Sequence, residues 1–156
     1  MRGKQAKKRA LSPDPKFGNL QIAKFVNYTM QGGKKSVARA VIYNALDMIS
    51  AKTKQDPVVI FETAIKNVGP AMEVRSRRVG GANYQIPMPV RGERKFYLAC
   101  HWLLNAAHSK KGRGMAEKLA DELVLASQEQ GDAWKKKEDV HKMAEANRAF
   151  AHFARR

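Results

Sequence analysis

From Leu20 the apolar residues Ile22, Val26 and Met30 recur every four positions, the spacing of one helical face, and Gly32-Gly33 ends the run. Ser36 is placed to cap a second helix, on which Val37, Val41, Ala45 and Met48 share a face. Asp56-Pro57 offers an N-cap followed by proline at the first helical position, and Phe61, Ala64, Ile65 and Val68 form the stripe of a third helix. Gly69-Pro70 stops it. Helical spacing resumes with Phe96, Ala99, Cys100, Leu103 and Ala107 and runs to the glycines at 112 and 114. A fifth helix turns Ala116, Leu119, Ala120, Leu123 and Ala126 inward and its acids outward, closing at Gly131. A last helix, starting anywhere from Ala133 to Lys137, carries Val140, Met143, Ala144 and Asn147 on one face. Residues 1–16 have no periodicity and contain Pro13 and Pro15, so a mobile arm is expected ahead of a single domain over 17–156.

Between the third and fourth helices, over about 72–90, the period falls from 3.6 to 2. Met72, Val74 and Ser76 alternate with Glu73, Arg75 and Arg77; Tyr84, Ile86, Met88 and Val90 alternate with Asn83, Gln85, Pro87 and Pro89. This predicts a β-hairpin in an otherwise helical chain. Pairing the two apolar sets requires partner numbers with an even sum. A two-residue Gly80-Gly81 turn gives 161, so a loop of three or five residues is expected. Pro87 and Pro89 place their missing N–H groups on one outward edge, which marks a free ribbon and not part of a larger sheet. The fold class is therefore mainly α, about six helices with a protruding two-stranded hairpin.

Composition adds the partner. The chain of 156 residues, 44% hydrophobic, carries a formal charge of +16 and a pI near 10.2. Such an excess repels itself unless a polyanion neutralises it. The basic residues cluster: Arg2, Lys4, Lys7, Lys8, Arg9 and Lys16 in the arm, Lys34 and Lys35 after the first helix, and Arg75, Arg77, Arg78, Arg91, Arg94 and Lys95 around the hairpin. Further clusters are Lys110, Lys111 and Arg113 between two helices, and Lys136, Lys137 and Lys142 on the last helix. Most lie in loops, a terminus or a ribbon, where side chains reach a phosphate backbone; a membrane surface would call for one amphipathic helix. No run approaches the ~18 apolar residues of a membrane span. The N-terminus lacks the apolar stretch of a secretory signal, and with no Ser before position 12 a transit peptide is not expected. Cys100 stands alone, which excludes an internal disulfide and points to a reducing compartment.

Catalytic chemistry finds no foothold. Gly32-Gly33-Lys34-Lys35-Ser36 lacks the spacing of a phosphate-binding loop and follows a helix where a strand is required. His101, His108, His141 and His152 have no metal-pair spacing and read as surface or RNA-facing. Asp121-Glu122 and Glu138-Asp139 read as solvated helix surface, and Cys100 as a packed thiol. Arginines on a ribbon are different: the planar guanidinium binds phosphate bidentately and stacks on bases. Gly80-Gly81 permits close backbone approach. Tyr84 sits among Ile86 and Met88, a packing position first and a base-stacking one second. These residues imply recognition of a nucleic acid by shape and backbone; the charge alone also permits a DNA-compacting protein, and an RNA-modifying enzyme is a distant third.

Ordered motifs then carry a resemblance: Asp14-Pro15-Lys16-Phe17, Gly33-Lys34-Lys35-Ser36, Val74-Arg75-Ser76-Arg77-Arg78-Val79-Gly80-Gly81, Tyr84-Gln85-Ile86-Pro87, the stretch from Glu138 to Asn147, and Ala149-Phe150-Ala151-His152. From about Leu11 to His152 the chain closely resembles the bacterial small-subunit ribosomal protein seven family. The resemblance implies a helical domain with a β-ribbon that binds the 3′ domain of small-subunit rRNA and organises the subunit head. It implies a place near the mRNA path and the tRNA exit site, with the tip formed by Arg78, Val79, Gly80, Gly81, Ala82 and Asn83 close to the exit-site tRNA. Neighbouring proteins of the head and platform are the implied protein partners. No cofactor, metal, membrane or small-molecule substrate is expected, and the location is the ribosome, in the cytoplasm or an organelle. The chain departs from the family's pattern at Gly92, Glu93, Lys95 and His101, where proline and further arginines are expected; His101 is cationic only when protonated.

Overall fold

The computed structural model describes Gly3, Ala6 and residues 10–155, with only the backbone given at 154 and 155. The arm residues Arg2, Lys4, Lys7, Lys8 and Arg9 lie outside the described residues. Six α-helices run in order: α1 (Leu20–Thr29), α2 (Lys35–Thr53), α3 (Pro57–Val68), α4 (Gly92–Ser109), α5 (Met115–Ser127) and α6 (Asp132–Ala146). Strands β1 (Met72–Val79) and β2 (Ala82–Pro89) separate α3 from α4, and a 3-10 helix over Arg148–Arg155 follows α6.

Local chemistry sets the helix starts. Asn19 Oδ1 accepts from Gln21 N at 2.7 Å, and Asp56 Oδ1 from Val58 N at 2.9 Å, so α1 and α3 begin on side-chain caps. Ser36 caps nothing. Gly32 and Gly33, both at positive φ, swing the chain so that α2 begins at Lys35, with Ser36 already inside its first turn. Its buried face is Ala38, Ile42, Ala45, Leu46 and Ile49, and Val37 is 58% exposed. The expected Val37–Val41 stripe is thus rotated by one position, because α2 packs on both α1 and α5 and the two partners cover a wider arc than one stripe.

The core sits around α5, which packs against α2, α3 and α4. Leu103, Leu119 and Leu123 meet Phe61, Leu46 and Ile49 in one buried cluster, with Phe25 5.3 Å from Phe61 between ring centres. Fully buried alanines such as Ala45, Ala64, Ala107 and Ala120 keep the helix axes close. Glu122 corrects the expectation of outward acids: it is 0% exposed. Its carboxylate accepts from Lys110 Nζ at 2.5 Å and from Ala133 N at 2.9 Å, pairing a charge and satisfying the first turn of α6. That anchor, with Gly131 at φ 94°, starts α6 at Asp132, ahead of the expected range. At the N-terminal side, Asp14 is buried and accepts from Tyr43 Oη at 2.8 Å, while Lys16 Nζ meets Asp47 at 2.7 Å.

The hairpin forms a two-stranded sheet of its own, but with a two-residue turn, Val79 pairing with Ala82. The expected longer loop is wrong. Gly80 and Gly81 both take positive φ, 57° and 91°, the pattern of the primed turn whose twist matches the strands. Turn geometry therefore sets the register, and Arg75 lies opposite Ile86 and Arg77 opposite Tyr84. No fully buried face exists to oppose this, because β1 is exposed from Arg75 to Arg78. Val90 N donates to Ala71 O at 3.0 Å, so by alternation the pairs Met72–Pro89 and Val74–Pro87 are non-hydrogen-bonded and both proline nitrogens lie on the edge away from β1, although Pro87 itself is buried. The ribbon is not free along its length, however. The 3-10 helix, absent from the sequence reading, lays Phe150 and Phe153 on Tyr84 at 5.2 and 5.4 Å, and Arg77 Nη1 donates to Phe153 O at 3.2 Å.

Candidate nucleic-acid interface

Helix α4 organises the charge. Arg91 immediately precedes it and Arg94 lies in its first turn, and both line two adjoining clefts. One, of about 280 Å³, lies at the hairpin base with Glu73, Arg75 and Met88. The other, of about 530 Å³, lies between α1 and α4 with Lys24, Tyr28, Glu93 and Tyr97. Glu73 joins hairpin to helix: it is buried, accepts from Arg75 Nε at 2.7 Å and from Arg94 Nε at 3.2 Å. Two arginines on one carboxylate leave a net positive charge, and their side chains stay 56% and 45% exposed. The period-2 pattern placed Glu73 among outward polar residues; its role arises from α4 crossing the ribbon's base.

Eighteen residues of α4 rise about 27 Å to its other end. There the α1–α2 turn faces the end of α4 across an open pocket of about 400 Å³, lined by Lys34, Val37, His108 and Met115 among others. Lys34, Lys35 and Lys111 are exposed around it or in the following loop. In the α4–α5 cluster Lys110 turns inward to Glu122, whereas Arg113 meets Asp121 at 3.0 Å and stays 64% exposed. The hydrogen bond and charge of Lys52, with Arg113 beside them, hold the Asp121 carboxyl below the usual range.

Other candidates divide the same way. Lys16 is engaged by Asp47 and lies 5.2 Å from the Phe17 and Tyr43 ring centres. Lys95 packs over Gly69, where an added Cβ would stand 2.7 Å from its Cε. Lys137 sits 3.8 Å over the Trp134 ring, and burial lowers its pKa. Lys136 lines a groove of about 440 Å³ between hairpin, α4 and α6, while Lys142 is exposed. At the tip Arg78, Gly80, Gly81, Ala82 and Asn83 are exposed and Val79 is half-buried.

Two histidines depart from the surface reading. His141 Nε2 accepts from Ala71 N at 3.1 Å, fixing the start of the ribbon to α6; burial lowers its pKa, with the Lys137 charge adding to the effect. The His101 ring lies tilted 4.2 Å from that of Tyr97, one helical turn away, and 5.3 Å from that of Tyr28. That aromatic group was missed, although the four-residue spacing of Tyr97 and His101 on a helix is legible. Cys100 is fully buried and burial pushes its thiol far up, so it is no nucleophile. Among the described residues no group of three or more His, Cys, Asp or Glu is placed to hold a metal ion, and no helix is long and apolar enough to cross a membrane.

The profile of the family described as ribosomal protein S7p/S5e matches residues 1–148. A small ribosomal subunit protein uS7 of Nitrobacter winogradskyi is 57% identical over 148 residues, covering 95% of each chain. That of Rhodopseudomonas palustris strain BisB5 is likewise 57% identical over 95% of each chain. The uS7 of Thermotoga maritima is 52% identical over 153 residues, 98% of this chain and 99% of its own. On a match that spans helices, ribbon and both clefts, this chain belongs to the ribosomal protein S7p/S5e family.

Proposed function

We propose that the protein is a structural, non-enzymatic constituent of the small ribosomal subunit that binds the 3′ domain of small-subunit rRNA directly and nucleates assembly of the head. The observation that carries this reading is the pair of exposed cation clusters at the two ends of α4, a helix about 27 Å long: Arg75, Arg91 and Arg94 at the hairpin base, and Lys34 and Lys35 beside the pocket at the far end. A surface of that length spans several phosphates and offers no enclosed site for a small substrate. The exposed hairpin tip from Arg78 to Asn83 suits a contact with the exit-site tRNA near the mRNA path. The groove between hairpin, α4 and α6, lined by Trp102, Val140 and Met143, suits a neighbouring ribosomal protein.

The test is binding of the full chain to a transcript of the 3′ domain, beside random RNA and duplex DNA, over a salt series. Tight binding to the transcript that weakens steeply with salt is expected, about 0.7–0.9 log units per phosphate contact for each log unit of salt. Equal affinity for the three polymers would overturn it and favour the DNA-compacting alternative. Arg78→Glu should lose tRNA crosslinking at the tip with helicity unchanged. Arg77 is the poorer probe, because its reversal also breaks the bond to Phe153.

A further inference from the structure

The aromatic group on α4 is unused by any phosphate contact. Tyr97, 37% exposed, stands with His101 on one face of α4, and Tyr28 of α1 meets Tyr97 edge-on at 5.6 Å. Tyr28 and Tyr97 line the 530 Å³ cleft whose rim carries Lys24, Arg91 and Arg94. Arg94 lies 5.0 Å from the Tyr97 ring centre, a cation over one π-face, so a base takes that face as the guanidinium swings aside towards the phosphates. Rings with exposed area beside three cations and one carboxylate, Glu93, are what a single-stranded nucleotide needs: a flat surface for the base and charge for its phosphates. A duplex offers no free base face, and a protein partner would find this rim dominated by like charges.

We infer that the cleft between α1 and α4 holds one unpaired RNA nucleotide, its base stacked on Tyr97 within the Tyr28–Tyr97–His101 group and its phosphates met by Arg91 and Lys24. The inference rests on the RNA-binding reading above and adds to it a base contact. His101 acts here through its ring, so its place in the interface does not depend on protonation. Tyr28 is a positioning residue, holding Tyr97 from its edge.

The test uses the full chain, the 3′-domain transcript, and ultraviolet crosslinking followed by peptide mass spectrometry. Tyr97 should carry a nucleotide adduct from a single position of the transcript. Tyr97→Ala should weaken binding by about 5- to 100-fold, the range for one base–aromatic stack, with the salt slope unchanged; Tyr97→Phe should bind as the parent does. An abasic site at the crosslinked nucleotide should abolish the difference between parent and Tyr97→Ala. Arg91→Ala should instead lower the salt slope by about 0.7–0.9. Full affinity in Tyr97→Ala, or a loss that persists with the abasic transcript, overturns the inference while leaving rRNA binding intact. Failure of the parent chain to prefer the transcript would overturn the rRNA reading itself.

Discussion

Glu122 shows what one residue contributes when its surroundings are not solvent. Its neighbours in sequence make it one of several acids on an amphipathic helix, yet it is fully buried between Lys110 and the first turn of α6. Removing one member of a buried pair leaves the other charge without its partner. Glu122→Ala should cost about 2–4 kcal/mol, reduced from the full buried-pair range because Lys110 can turn to water. The midpoint of thermal unfolding should fall by roughly 4–16 °C for a chain of this size. Glu129→Ala, on an exposed turn, is the control and should stay within about 0.5 kcal/mol of the parent. Calorimetry on both separates the readings: equal midpoints would mean that the carboxylate contributes nothing net. At this scale the sequence was legible where a residue's role is local. Asp56 as a cap and Cys100 as a packed thiol follow from their immediate neighbours. Glu73, Glu122, Asp14 and His141 do not, because each is partnered by an element distant along the chain.

The hairpin is the element in which two rules conflict. Apolar alternation calls for an even pairing sum; the Gly80-Gly81 turn imposes an odd one, and the turn prevails. Its geometry places Arg75 and Arg77 on the same face as Ile86 and Tyr84, so the ribbon's arginines lie beside apolar surface instead of opposite it. Gly81 at φ 91° is a conformation that a β-branched residue adopts only with strain of about 1–3 kcal/mol. Gly81→Val should therefore loosen the ribbon, read as faster amide exchange from Arg77 to Tyr84, with exchange in α3 and α5 unaltered. Gly80→Asn, which keeps an asparagine-glycine primed turn, should retain parental protection. Protection unchanged in Gly81→Val would show that the 3-10 helix, through Phe150 and Phe153, holds the ribbon without help from its turn. The helices were read more securely than the ribbon, since each buries a stripe whose period is written in the sequence. The start of α2 slipped because a glycine turn, not Ser36, delivers the chain into it.

Over the whole molecule, a charge of +16 calls for a polyanionic partner but does not say where it would bind. The fold sorts the candidates. Lys16, Lys110 and Arg113 meet carboxylates, Lys95 covers a glycine, and Lys137 lies on an indole. Arg91, with Arg94 that shares the Glu73 carboxylate with Arg75, and Lys34 with Lys35 remain exposed at opposite ends of α4. Sites about 27 Å apart should act independently. Arg91→Ala with Arg94→Ala, and Lys34→Ala with Lys35→Ala, should each reduce affinity for the 3′-domain transcript, and their free-energy losses should add within about 0.5 kcal/mol. No loss from one of the two pairs would mean that the other end alone touches the RNA, and strong non-additivity in titrations at fixed salt would mean that the two ends are coupled. The sequence by itself determined the mainly helical class, the position of the ribbon, the expectation of a polyanionic partner and, through its ordered motifs, the family. These rest on local period, turn residues and summed charge, none of which needs a distant partner. Tertiary structure alone decided which cations face outward, how the ribbon is braced, and that Tyr28, Tyr97 and His101 meet. Each of those depends on helices separated in sequence being packed together, and single-chain patterns carry no record of which distant face a side chain will find.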